Sequence, residues 1–146
     1  MKISLCTDWF RPKVGGVESH VLGPAETLVE KGHLISIITH AYREHTSDET
    51  IGRVKVYRMG GFVEPYTSTL CSPSIQGIAK ILKLEDPDIV YGHHIFTPIP
   101  LASVYFAKKL RKATVLMNHS TSRPSVCFAY PVIAPSFNIS TSMLTS

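Results

Sequence analysis

The sequence predicts a doubly wound, parallel α/β fold, and three observations carry that prediction. Five short runs of strand formers alternate with segments of helical period, and glycine or proline punctuates most junctions. The second run, Leu34-Ile35-Ser36-Ile37-Ile38-Thr39, is almost continuously apolar and β-branched. A strand covered on both faces reads that way.

The first run spans residues 3–7 and ends at Asp8, and residues 8–16, with Pro12, Gly15 and Gly16, read as a loop. From Val17 the period changes. Val17, Val21, Ala25, Leu28 and Val29 share one helical face, Glu18, Glu26 and Glu30 fall elsewhere, and Gly32 stops the helix after Lys31. Pro24 removes a backbone donor and crowds the preceding turn, which predicts a kink. After the second run, residues 40–52 are a polar stretch. Residues 53–58 then alternate strictly, as suits a strand near a sheet edge. Residues 60–73 read as loop and 74–84 as a helix with Ile75, Ile78, Ala79 and Leu82 inward, stopped by Pro87. Residues 88–91 form the fourth run and end at Gly92-His93-His94. Pro98 and Pro100 open a helix at its first turn, where proline is tolerated, and residues 113–117 form the fifth run.

Right-handed crossovers place the helices on both faces and give the expected strand order 3-2-1-4-5. The loops after the first, fourth and fifth strands should then converge on one cleft at the carboxyl ends of the strands. Residues 121–146 hold nine Ser or Thr, three Pro, one Arg and no acid. They lack a helical period and are expected to form an irregular tail, which divides the chain at residue 120.

Composition narrows the function classes. The chain has 146 residues, 44% of them hydrophobic and 18% charged, enough for one packed domain. Fifteen basic residues against eleven acidic give +4, which suits an anionic or phosphate-bearing ligand and is too little to argue for nucleic acid. No apolar run has the length of a membrane span, and the N-terminus leads directly into strand-like sequence rather than a cleavable signal. Cys6, Cys71 and Cys127 are scattered, with no metal-ligand or disulfide spacing, so a reducing compartment is expected.

Candidate site residues follow from the loops. Gly15 and Gly16 sit between the first strand and the first helix, where backbone amides and the helix dipole can meet a phosphate or a sugar hydroxyl. The pair is not Gly-x-Gly-x-x-Gly and no carboxylate ends the second strand, so dinucleotide binding is not expected. Glu18 either complements the dipole of its helix or accepts from ligand hydroxyls. His93, His94 and His119 fall near the cleft, with His40 beside it. Imidazole there can bond a phosphate or hydroxyl, or move a proton. No metal is expected, because adjacent histidines diverge and no carboxylate completes a ligand set. The basic residues 108–112 either end a solvated helix or touch an anionic membrane.

The string Thr7-Asp8-Trp9-Phe10-x-Pro12-x-x-Gly15-Gly16-Val17-Glu18-Ser19-His20, with Glu30-Lys31-Gly32-His33 and Thr39-His40-Ala41-Tyr42, resembles the N-terminal domain of family 4 retaining glycosyltransferases. Within that family it is most similar to the transferases that place N-acetylglucosamine on phosphatidylinositol, the first step of glycosylphosphatidylinositol-anchor synthesis. Residues 88–93 resemble a family segment ending in His-x-His, with Tyr91 in place of the first histidine, and Asn118-His119-Ser120 resembles its Asp-His-Ser. The resemblance covers residues 1–120. It implies the N-terminal, acceptor-side half of a GT-B fold, in which two Rossmann-like domains close on a nucleotide sugar. It also implies that Gly15, Gly16, Glu18 and His93 bind substrate and that His119 stands near the reacting sugar. The implied donor is UDP-N-acetylglucosamine and the implied acceptor phosphatidylinositol, with no cofactor or metal.

The remaining implications are other transferase subunits as partners, a place on the cytoplasmic side of the endoplasmic reticulum with peripheral membrane contact, and no activity in this chain alone. Two alternatives stand beside this reading: a non-catalytic module docking on the transferase complex through its sheet edge, and a family 4 transferase with another acceptor.

Overall fold

The computed structural model describes residues 1–12, 16–41, 47–59, 72–95 and 97–117, without the side chains of residues 16–18 and 72–76. Six strands and three helices occur in the order β1 (Lys2–Cys6), α1 (Gly16–Glu30), β2 (Leu34–His40), β3 (Glu49–Ile51), β4 (Val54–Met59), α2 (Ser72–Glu85), β5 (Ile89–His93), α3 (Pro98–Lys109) and β6 (Ala113–Met117). They build one sheet, ordered β3-β4-β2-β1-β5-β6, in which only the β3–β4 pair is antiparallel.

The five expected strands therefore stand in the expected order. The sixth, β3, corrects the reading of residues 40–52 as a polar stretch with no strand of its own. It is three residues long and polar apart from Ile51, too short to show a period, and it forms by pairing Glu49 with Val56 and Ile51 with Val54. Its effect is to cover the free edge of β4. Two boundaries also move. Helix α2 begins at Ser72, with Pro73 in its first turn, and β5 continues through Gly92 to His93.

Period decides which residues point to which face. On one face Ile3 and Leu5 of β1, Ile35 and Ile37 of β2, and Val54 and Val56 of β4 meet Val21, Leu22, Ala25 and Val29 of α1. On the other, Cys6, Ile38 and Val90 meet Ile78 and Leu82 of α2 and Ile99 and Ala107 of α3. Helix α1 continues through Pro24, which lies on its exposed side with Gly23. All three helices end at the base of the sheet. There Gly32 (φ +83°) and Arg111 (φ +57°) take the left-handed conformation that closes a helix, with His33 N donating to Leu28 O and Lys112 N to Ala107 O.

The base is fastened by polar contacts. Lys2 donates its backbone N–H to Asp88 and its ammonium to the Glu85 carbonyl, at 2.8 and 3.2 Å. The Glu85 carboxylate accepts from Lys55 at 3.0 Å and from the Tyr57 hydroxyl, and Lys112 pairs with Asp86. With the lower edge tied and the strands parallel, the ends of β1, β5 and β6 lie side by side at the upper edge.

Candidate functional site

The upper edge is built from the turn after β1, the N-terminal ends of α1 and α3, and the last residues of β2, β5 and β6. The turn folds back into the core: Thr7 and Asp8 are buried, and Phe10 packs into the cluster beneath α1. Thr7 N donates to Ile38 O at 3.0 Å and its hydroxyl to Trp9 O at 3.1 Å, which fixes where Asp8 points.

Asp8 joins three elements. One carboxylate oxygen accepts from His40 Nε2 at 3.0 Å and from the backbone N–H of Ile99, in the first turn of α3, at 3.4 Å. Both side chains of this hydrogen-bonded pair are more than nine-tenths buried. Among the described residues, the second Asp8 oxygen and His40 Nδ1 have no hydrogen-bond partner. Because Asp8 supplies the cap in trans, Thr97 at the N-cap position makes no side-chain cap bond of its own. Sequence reasoning missed this pair. Its signal was the parallel register: every β1–β2 partner is 32 residues away, Lys2 opposite Leu34 and Cys6 opposite Ile38, so residue 8 must meet residue 40.

Beside the pair, burial pushes the Cys6 thiol up to about 12. A Ser103 hydrogen bond acts the other way and the Asp8 carboxylate adds to the rise. Cys6 is thus a neutral core residue, not a nucleophile. On the α1 side, the buried Arg58 guanidinium donates through Nε to Glu49 at 3.1 Å and lies over the Phe10 ring, 5.7 Å from its centroid.

Of the residues singled out from sequence, His93 ends β5 on the α1 side, 5% exposed, its ring centroid 4.6 Å from that of Tyr91. His94 follows in the left-handed region (φ +105°) and donates its N–H to Met117 O at 2.8 Å. Since the register also pairs His93 with Met117, the chain leaves β6 at the side of His93. Gly16 opens α1 and Glu18 falls in its first turn. Gly15 and His119 lie outside the described residues. Gly92 makes room for this corner. A Cβ there would stand 2.8 Å from Leu116 Cδ1 and 3.1 Å from Pro100 Cβ, so glycine lets the start of α3 pack on β5.

Of the three helix N-termini at the upper edge, those of α1 and α3 flank the end of β1, and they are not equivalent. At α3, Pro98 and Pro100 carry no N–H, and Asp8 already supplies a carboxylate to Ile99. At α1 the helix begins at Gly16. Among the described residues, no group of three His, Cys, Asp or Glu side chains is placed to hold a metal ion.

A doubly wound sheet, parallel except for the β3–β4 pair, with helices on both faces defines the class: a Rossmann-like domain. Residues 14–139 match the model of Glycosyltransferase Family 4, and the chain belongs to that family. It is 33% identical over 122 residues to a subunit of human phosphatidylinositol N-acetylglucosaminyltransferase, and 31% identical over 122 residues to the GPI3 subunit of the Saccharomyces cerevisiae enzyme. These matches cover 81% of this chain but 25% and 27% of the relatives, so the chain spans about a quarter of their length. Among solved structures, sucrose-phosphate synthase from Thermosynechococcus elongatus superposes with a TM-score of 0.62 at 14% identity. That superposition covers 82% of this chain and 33% of the synthase and shows a shared fold.

Proposed function

We propose that this chain is the acceptor-side domain of a retaining transferase that moves N-acetylglucosamine from UDP-N-acetylglucosamine to phosphatidylinositol. The observation that carries the reading is the juxtaposition at the upper edge: α1 starting at Gly16, with His93 and the exit of β6 at the neighbouring strand ends. In this reading the amides around Gly15 and Gly16 hold a phosphate, Glu18 steadies the turn, and His93 lines the cleft. His119, two residues beyond Met117, reaches the reacting sugar. Asp8 is a positioning residue, since it anchors the turn, β2 and α3 to one another without facing the ligand.

Transfer depends on stabilising the departing diphosphate with groups arranged in advance. Those groups belong to the donor-side half of such a cleft, and the chain spans about a quarter of the length of its relatives. The chain accordingly works with further transferase subunits at the cytoplasmic face of the endoplasmic reticulum, and no resident metal takes part. The similarity to the human and yeast enzyme subunits supports the choice of donor and acceptor.

The test is a transfer assay with labelled UDP-N-acetylglucosamine and phosphatidylinositol vesicles. The 146-residue chain alone should yield no glycolipid, whereas a longer protein that contains it should yield product and lose it on His119→Ala. Transfer by the short chain, or transfer by the longer protein to a different acceptor only, overturns the reading. A second reading, a docking module without turnover, is favoured by the open sheet face at β6, where Val115 and Met117 are 43% and 42% exposed. Binding of the chain to the partner subunits, with a longer protein still inactive, would select it.

A further inference from the structure

The layer formed by α2 and α3 carries a charge pattern that the cleft does not use. The two helices pack side by side on one face of the sheet, with Ile78 and Leu82, and Ile99 and Ala107, turned inward. Two residues away, about half a helical turn, the outward positions are Lys80 and Leu84 on α2 and Tyr105 and Lys109 on α3. Lys80, Lys83, Lys108, Lys109 and Arg111 are all exposed, and residues 77–84 and 98–112 contain no acid. Glu85 is the last residue of α2 and Asp86 follows it, but Lys55 and Tyr57 hold the first and Lys112 the second. Leu84, 73% exposed, is the most exposed large apolar side chain among the described residues, and Tyr105 is 37% exposed with Lys109 Nζ 4.5 Å from its ring centroid.

We propose that the outer face of α2 and α3 docks on an anionic membrane surface, with Leu84 and Tyr105 entering the headgroup layer and the five cations bonding lipid phosphates. Charge complementarity selects this occupant: a surface with five exposed cations, whose neighbouring acids Glu85 and Asp86 are each held by a lysine, and with two apolar projections fits a bilayer of anionic lipid. Docked on this layer, the sheet lies along the membrane and its upper edge stays open at the side, within reach of a headgroup. The surface is separate from the cleft, so docking and sugar transfer can each fail without the other.

The experiment is co-sedimentation of the 146-residue chain with vesicles of phosphatidylcholine alone and of phosphatidylcholine with an equal amount of phosphatidylserine. Binding is expected only to the mixed vesicles, and it should be lost in molar salt, where charges are screened within about 3 Å. Replacing Lys83, Lys108 and Lys109 by Gln should lower the partition coefficient about a hundredfold. Leu84→Ser should lower it severalfold while leaving its salt dependence unchanged. Lys31→Gln with Arg53→Gln, two exposed cations outside the layer, should change it less than about threefold. No binding to the mixed vesicles, equal binding to both kinds, or an equal loss from the Lys31 and Arg53 changes would overturn the proposal. Circular dichroism of each variant separates lost docking from lost folding.

Discussion

Two polar pairs inside the sheet act together at the scale of single residues. Ser4 and Ser36 share a buried hydrogen bond of 2.8 Å, and Asp8 and His40 one of 3.0 Å, with Cys6 and Ile38 between them on the same face. Both pairs are 32 residues apart. Sliding β2 by one residue would bury four polar groups without partners, a penalty of about 1–3 kcal/mol for each. The pairs therefore specify register at the point where an all-apolar strand could slip. Asp8→Ala should destabilise the chain by about 3–5 kcal/mol, because His40 and the first turn of α3 lose their acceptor together. Asp8→Asn, which keeps an oxygen at the same place, should cost distinctly less. Urea denaturation of the two variants checks the order, and equal losses would show that the bond to α3 is not made.

Among the elements, the corner of β5, α3 and β6 sets the shape of the upper edge. Gly92 is its tightest point, and Gly92→Ala must move either Leu116 or the start of α3. The expected cost is about 1–3 kcal/mol. Amide shifts should spread along α3 and to His93 while α1 stays unchanged. A thermal-melt difference from wild type of less than a degree would contradict this packing.

The same corner shows what the sequence could and could not disclose. The periods of β2, β4, α1 and α3 were plain, because continuous apolar runs and helical stripes report burial directly. The strand β3 was hidden, since three residues, two of them polar, gain their order only from pairing with β4. His93 was legible as a residue near the strand end, yet its place inside β5 depends on Gly92 and Pro100, contacts distant in the chain. Asp8 and His40 were each visible, but their bond needed the register. The roles of Gly15 and His119 rest on family resemblance, for both lie outside the described residues.

For the molecule as a whole, the polar base and the open upper edge divide the work between stability and binding. Burial acts to raise the Glu85 carboxyl, but hydrogen bonds from Tyr57 and Lys55 and the charges of Lys55 and Lys2 outweigh it and hold the group below its ordinary value. The Lys112 hydrogen bond and charge do the same for Asp86. Carboxyls depressed on folding add stability that is complete above their unfolded values, about 4, and is lost as pH falls through the lower folded values. Burial, the Glu85 hydrogen bond and nearby negative charge raise the Tyr57 phenol. An unfolded chain therefore ionises it first, and stability should also fall above about pH 10. Thermal melts across pH should show both limbs. Lys112→Gln should make the acid limb shallower, because Asp86 then keeps only the weaker influence of the Lys2 charge, and leave the alkaline limb in place.

The central claim is that a sugar-transferase acceptor site lies at the upper edge, between the diglycine turn and the exit of β6. An amide-shift titration of the isotope-labelled chain with glycerophosphoinositol, the headgroup of the proposed acceptor, tests it most directly. The account predicts saturable shifts confined to the Gly15–Gly16 turn, Glu18, His93 and the segment around His119, with the base of the sheet silent. Shifts confined to Lys31, Arg53 and the other residues at the base, or none at millimolar headgroup, would contradict it.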